Sequence, residues 1–236
     1  MDDKISENIE EYLEVLYRNG SNGEQVSTTQ LSKDLGIAPG SVTQMLKKLE
    51  DLGYIVYTPY KGAILTDEGM KIAQKITRKH RILEKFLLEV LKIKEENVHE
   101  QACEMEHTLS DEAERALCTM LHHPDLCPDE NVIPACDFEF GSCEECFSQK
   151  DFDQVMNRKF NLLSISELTS DNEGTISFIR GNNELLSDIA DLGIKIGQHL
   201  KYEFNENRVG NHYLVTIDDE ELNITVEMAN NIFIRV

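Results

Sequence analysis

The chain has 236 residues, 40% of them hydrophobic, and a formal net charge of −21 from 44 acidic side chains against 23 lysines and arginines. That length and apolar content hold two or three compact domains and exclude a disordered chain. No run approaches the roughly 18 continuous apolar residues of a membrane span, and the N-terminus lacks a basic stretch followed by an apolar one, so a cytoplasmic protein with no membrane partner is expected.

Six cysteines in such a protein point to reduced thiols, metal ligands or redox groups rather than a disulfide framework. A chain this acidic is repelled by nucleic acid at long range, so DNA binding requires positive charge that is local or supplied by a bound metal.

In chain order, Ile5, Ile9, Leu13 and Leu16 recur at helical spacing, and Asn19-Gly20 ends that first segment. Glu11 and Glu14 stand three apart on it; taken alone they read as a solvated carboxylate pair. From Val26 to Ile55, Leu31 and Leu35 face inward on a short helix, Gly36 turns the chain, and Val42, Leu46 and Leu49 face inward on a second helix. This is helix-turn-helix spacing. The outward face of the second helix offers Ser41, Thr43, Gln44, Lys47 and Lys48, short hydrogen-bonding groups followed by two cations, as base and phosphate contacts require. Residues Leu52 to Thr66 read as two short strands around a turn with a basic, aromatic tip at Tyr60-Lys61. The whole predicts a winged helix, for which DNA binding is favoured over a protein-binding version of the same fold.

Thr66 can cap a long helix with Asp67 and Glu68 in its first turn. Ile72, Ile76, Leu83, Leu87 and Val90 line one side, as a dimer interface would. Two more helices follow, about Glu96–Thr108 and Asp111–His122, the second capped by Ser110. Positions three and four apart share a helical face, so His99, Cys103 and Glu106/His107 converge, and His80 and Glu84 form a second pair. For any one of these residues an acidic solvated face with a buried cysteine is the simpler reading. Five donors on two helices favour a metal, and imidazole, thiolate and carboxylate together suit iron(II), manganese(II) or zinc better than calcium.

Three ordered motifs, Arg78-Lys79-His80-Arg81-Ile82-Leu83-Glu84, Val98 to His107, and Leu109-Ser110-Asp111-Glu112, make residues 1–122 resemble the metal-dependent repressors of the diphtheria toxin repressor and manganese transport regulator family. The resemblance implies one metal site from Glu11, Cys103, Glu106 and His107, and an ancillary site from His80, Glu84 and His99. The pattern is a hybrid: iron-type members share a cysteine matching Cys103 but carry methionine in place of Glu11, while manganese-type members carry acids matching Glu11 and Glu14 and no cysteine. Hard oxygens favour manganese and a thiolate favours iron or a softer ion, so the metal stays open. With Glu14 acidic and His80 as a bridge, a binuclear arrangement is also open.

From Pro124 to Phe147 the periodicity dissolves into a loop bearing Cys127, Cys136, Cys143 and Cys146, with one Cys-x-x-Cys spacing. Four thiols can close a zinc site or hold an iron–sulfur cluster; a redox-sensitive thiol set and unligated linker cysteines are the alternatives. Cys118, on the preceding helix, reads as a small apolar packing residue. After Lys159 come segments with alternating inward and outward residues, Leu163–Leu168, Gly174–Ile179, Gln198–Phe204, Tyr213–Ile217 and Ile232–Val236, with a short helix at Asn183–Ala190. With Leu192-Gly193-Ile194-Lys195-Ile196-Gly197 and Met228-Ala229-Asn230-Asn231-Ile232, this part resembles the FeoA-type small β-barrel, which in longer members of the family can donate a side chain to the ancillary metal; Glu184 or a neighbouring asparagine is the candidate.

The expected fold is multidomain α+β: a winged helix at 1–66, a helical metal-binding and dimerisation domain at 67–123, a cysteine-containing linker at 124–158, and a FeoA-like barrel at 159–236. The expected function is a homodimeric repressor, activated by iron(II) or manganese(II), that binds a double-stranded DNA operator of metal-uptake genes and is not an enzyme. The alternative is a thiol, zinc or iron–sulfur sensor acting through Cys127 to Cys146. A hydrolytic metalloenzyme is disfavoured, because the donors are strung along dimer-type helices and no nucleophile motif accompanies them.

Overall fold

A computed structural model of the chain describes residues 5–20, 25–140, 143–148, 157–168, 172–203 and 212–235. It divides into two compact units, Met1–Thr77 and Arg78–Val236. No helix among the described residues is long and apolar enough to cross a membrane.

The first unit holds α1 (Glu7–Asn19), α2 (Thr28–Leu35), α3 (Pro39–Asp51), the strands β1 (Ile55–Thr58) and β2 (Gly62–Leu65), and the opening turns of α4 (Asp67–Glu89). Each boundary has a local cause. The Ser27 hydroxyl accepts from the Gln30 amide and starts α2, Gly36 ends it in the left-handed region at φ 66°, and Pro39 opens α3 where no amide donor is needed. Leu13, Leu31, Val42, Leu46 and Leu49 are fully buried together, each contributing about 1.5–3 kcal/mol against exposure. β1 and β2 pair antiparallel, Ile55 opposite Leu65 and Thr58 opposite Gly62, with Tyr60 at the tip in the left-handed region. Glycine is required at 62, where φ is 133° and a Cβ would sit 2.3 Å from the Val26 carbonyl oxygen, because Val26 adds a bridge to the hairpin at Ala63. It is also required at 69, where a Cβ would sit 1.9 Å from the Tyr54 carbonyl oxygen as the start of α4 meets the hairpin.

In the second unit the remainder of α4 packs with α5 (Glu95–Glu106) through Leu83, Leu87, Val98 and Ala102, while Ile82 packs with Cys118 of α6 (Asp111–Met120), Cys127 and Ile133. The basic residues around His80 fasten these parts. Arg78 makes a buried ion pair with Glu114 at 2.7 Å and donates to the Pro134 carbonyl at 2.6 Å. Lys79 pairs with Asp111 at 3.1 Å, and Arg81 donates to the Val132 carbonyl. The short α7 (Cys143–Ser148) follows, and Arg158 donates to the carbonyls of Cys136, Phe138 and Phe140, fixing that part of the loop.

The C-terminal β-rich part holds β3 (Leu163–Ser164), β4 (Asn172–Ile179), α8 (Asn183–Asp191), β5 (His199–Tyr202), β6 (His212–Ile217), β7 (Glu220–Thr225), α9 (Val226–Asn231) and β8 (Ile232–Arg235). Its six strands run in the order β3-β8-β4-β5-β6-β7. The expected barrel is not closed by a ladder among the described residues. Instead α9, capped by the Thr225 hydroxyl, packs against β7 on one side and against β3 and the turn after it on the other. The expected strand Leu163–Leu168 stops at Ser164, because Ser164 and Glu167 form a reciprocal capping box that winds Ile165–Glu167 into a 3-10 turn. β7 and α9 were not expected: Glu220-Glu221-Leu222-Asn223 carries little β-propensity and is recruited by pairing with β6 along its whole length. Phe204 and Val236, at the ends of two expected strands, lie outside the described residues.

Candidate functional site

On α3 Ser41, Gln44, Lys47 and Lys48 are exposed, as are Pro39, Gly40, Glu50 and Asp51; Thr43 is half-buried and its hydroxyl donates to the Pro39 carbonyl at 2.9 Å. Tyr60 and Lys61 stand exposed at the hairpin tip. The helix thus presents short polar groups followed by two lysines, with a third lysine on the wing of the same unit, while Glu50 and Asp51 are exposed at the helix end. On α1, Glu11 is exposed and Glu14 is buried.

The metal-type donors of the second unit gather around His80. Helical spacing puts His80 and Glu84 on one face of α4, and His99, Cys103 and Glu106 on α5. The His80 ring lies between two carboxylates, Nδ1 at 2.6 Å from Glu106 and Nε2 at 2.9 Å from Glu84. His99 Nδ1 is 3.1 Å from His80 Nε2 and 3.2 Å from Glu84, and the Cys103 sulfur is 3.9 Å from His80 Nδ1 and 3.8 Å from His99 Nε2. One ligand atom from each of His80, His99 and Cys103 falls within 4.8 Å of the others. His107 is the residue after α5 rather than part of its face; its Nε2 lies 3.4 Å from the second Glu106 oxygen. Glu184 stands exposed in the first turn of α8 and belongs to no such group.

Glu106 is 1% exposed and His80 5%. A carboxylate so placed costs several kcal/mol unless a cation answers it. With a proton on each nitrogen the His80 ring donates to both carboxylates, which is the arrangement a divalent cation replaces by displacing protons. Burial pushes the Glu84 carboxyl up, but hydrogen bonds and charge from His80 and His99 outweigh it and hold the group below its ordinary value. Imidazole nitrogens, carboxylate oxygens and one thiol within these distances fit a first-row transition metal.

Of the four loop cysteines, Cys136, Cys143 and Cys146 share one apolar cluster, while Cys127 packs elsewhere, against Ile133. Cys118, expected only as an apolar filler, accepts from Arg78 Nη2 at 3.1 Å and lies 3.4 Å from His123 Nδ1. Its partners, 40 and 5 residues away, follow no helical period, so spacing gave no signal for them.

Comparison with known proteins places the whole chain in a family. Residues 4–63 match the family model "Iron dependent repressor, N-terminal DNA binding domain", residues 66–135 "Iron dependent repressor, metal binding and dimerisation domain", and residues 163–236 the FeoA domain. An uncharacterized HTH-type transcriptional regulator of Methanocaldococcus jannaschii is 46% identical over 109 residues, which are 46% of this chain and 87% of that protein. The HTH-type transcriptional regulator MntR of Geobacillus thermodenitrificans is 34% identical over 102 residues, 43% of this chain and 72% of that one. Among solved structures, the manganese regulator SloR superposes with a TM-score of 0.50 at 25% identity, covering 98% of this chain and 99% of that one. The chain belongs to the iron-dependent repressor family, metal-dependent transcriptional repressors that join a DNA-binding domain to a metal-binding dimerisation domain, here followed by a FeoA domain.

Proposed function

We propose that this repressor is activated by iron(II) or manganese(II), binds a near-palindromic double-stranded operator of metal-uptake genes as a cytoplasmic homodimer, and does no catalysis. The observation that carries the reading is His80 held between the buried carboxylates of Glu84 and Glu106, with His99 and Cys103 beside it. As the family resemblance implies, Glu11, Cys103, Glu106 and His107 would hold one ion and His80, Glu84 and His99 an ancillary one, with Glu14 and a bridging His80 leaving a binuclear arrangement open. A bound divalent ion supplies the positive charge that compensates the carboxylates.

Without that charge, the Glu84 and Glu106 carboxylates both lie within hydrogen-bond distance of the His80 ring. Donation of their oxygens to a common cation replaces repulsion by shared coordination, favouring one arrangement of the helices that carry them. The response is a population shift whose size equals the ion's differential affinity for the two arrangements. In the favoured one, Ser41, Thr43 and Gln44 would face base edges while Lys47, Lys48 and Lys61 meet phosphates and Tyr60 the groove wall, two recognition helices lying one helical turn apart along the duplex.

The test is duplex binding by fluorescence anisotropy with manganese(II), anaerobic iron(II) or chelator. Affinity is expected to rise with either metal and fall with chelator. In Glu106→Ala the rise should vanish; an unchanged metal response in that variant overturns the reading.

A further inference from the structure

A second group of chemically active side chains lies in the second unit, apart from the donors around His80. Cys118 at the end of α6, Cys136 in the loop, and Cys143 and Cys146 on α7 line one cavity with His123. Cys127 is absent from its lining among the described residues. The chain reaches this arrangement through an unusual turn: His122 and His123 both adopt the left-handed region, φ 58° and 57°, which folds His123 back onto Cys118. Such successive conformations in non-glycine residues are strained and mark places where side-chain direction matters.

Three arginines border the cavity, Arg78 in its ion pair with Glu114, and Arg115 and Arg180 beside it. Arg78 Nη2 donates to the Cys118 sulfur at 3.1 Å, and Arg115 Nε to the Cys146 sulfur at 3.5 Å. A thiol is a poor acceptor and a thiolate a good one. Arg180, 1% exposed, also lines the cavity, and its hydrogen bonds run to uncharged oxygens: Asn231 Oδ1 at 2.9 Å and the carbonyls of Ile133, Asn230 and Asp125 at 2.7, 3.1 and 3.4 Å. Burial and the neighbouring Arg78 charge bring the Arg180 guanidinium down to about 10. A buried cation in this state calls for negative charge nearby, and Asp125 supplies part of it. A thiophilic metal deprotonates thiols outright and leaves a net negative centre.

We propose that Cys118, Cys136, Cys143 and Cys146 ligate a soft metal centre, an iron–sulfur cluster or a zinc ion, in the cavity they line beside Arg115 and Arg180. Four sulfur donors are characteristic of these two occupants. Among the described residues no three of the sulfurs lie within 4.8 Å of one another, whereas a single zinc draws four thiolates to about 3.8 Å. A polynuclear iron–sulfur core holds its thiolates farther apart, and metal analysis separates the two occupants. Because Cys118 is on α6 and the cavity wall includes Phe178 of β4, the centre would pin the helical part of this unit to its sheet.

The test uses the full chain carrying Glu106→Ala, so that the donors around His80 do not contribute, purified without oxygen. Iron, zinc and acid-labile sulfide are measured, with the visible spectrum, in that protein and after adding Cys118→Ser, Cys143→Ser or Cys127→Ser. Either iron with sulfide and visible absorption, or zinc without sulfide, is expected, lost on Cys118→Ser and Cys143→Ser and kept on Cys127→Ser. Should the serine variants misfold, thiol counting in denaturant decides: in the unsubstituted protein, chelator should release four thiols from protection. Absence of metal and sulfide with no chelator-dependent thiols, or a centre kept on Cys118→Ser and lost on Cys127→Ser, overturns the proposal.

Discussion

The two donor groups of the second unit differ in how the chain makes them. The group around His80 comes from two helices, with donors three and four residues apart on each, and its ring nitrogens and carboxylate oxygens already lie 2.6–3.2 Å apart. The thiol group comes from a helix end, a loop and a short helix, and its sulfurs are more widely spaced. In the first, carboxylate oxygens and imidazole nitrogens lie within hydrogen-bond distance of one another; the second sets sulfurs beside arginines. A preassembled site of nitrogen and oxygen donors can exchange protons for an ion and so report its concentration, whereas four thiolates favour an occupant that stays.

The largest effects should come from breaking the buried charge pairs that separate the two groups. Arg78→Ala leaves Glu114 buried without its partner and removes a donor from Cys118, and is expected to cost about 3–5 kcal/mol in urea unfolding. His80→Ala strands Glu84 and Glu106 together and should destabilise the metal-free protein by a similar amount, about 3–5 kcal/mol, with added manganese(II) recovering little because a ligand has gone. Full rescue of His80→Ala by metal would erase the distinction.

An intermediate effect follows from Glu84. Its folded carboxyl is held below the unfolded value, so its contribution is complete above the ordinary carboxylate range near about pH 4.3 and is lost as pH falls through the folded value. Metal-free protein should therefore keep its urea midpoint from neutrality to about pH 5 and lose it below about pH 4, with a shallower loss in Glu84→Gln.

Smaller effects belong to the first unit, outside both groups. Lys47→Ala should weaken duplex binding about uniformly across sequences and reduce the salt slope by about 1. Ser27→Ala, which removes the α2 cap, should cost about 1 kcal/mol of stability without altering the metal dependence of DNA binding.

How much of this was legible in the sequence follows from the same contrast. The winged helix and the pairing of His80 with Glu84, and of His99 with Cys103, are local: period, caps and glycines fix them within one or two turns. The ring of His80 between Glu84 and Glu106 joins His80 to a residue 26 away; periodicity gave two separate faces and the motif resemblance two separate sites, so this association is tertiary. The thiol set was read as Cys127 to Cys146 because those four are neighbours in a loop. The Arg78 link to Cys118 and the two left-handed histidines after it, which bring Cys118 to the cavity lining, leave no spacing behind. In the C-terminal part, β7 escaped notice because its residues are acidic and polar, and its extended form comes from pairing with β6 rather than from its own preference.

The most direct measurement of the central claim is reciprocity between metal and DNA. Calorimetric titration of the full chain with manganese(II) or iron(II), alone and with a duplex selected by the metal-loaded protein, gives two metal affinities. They should differ by the same factor by which the metal raises duplex affinity, and both differences should disappear in Glu106→Ala. Equal metal affinity with and without duplex would contradict the coupling of the His80 group to DNA reading.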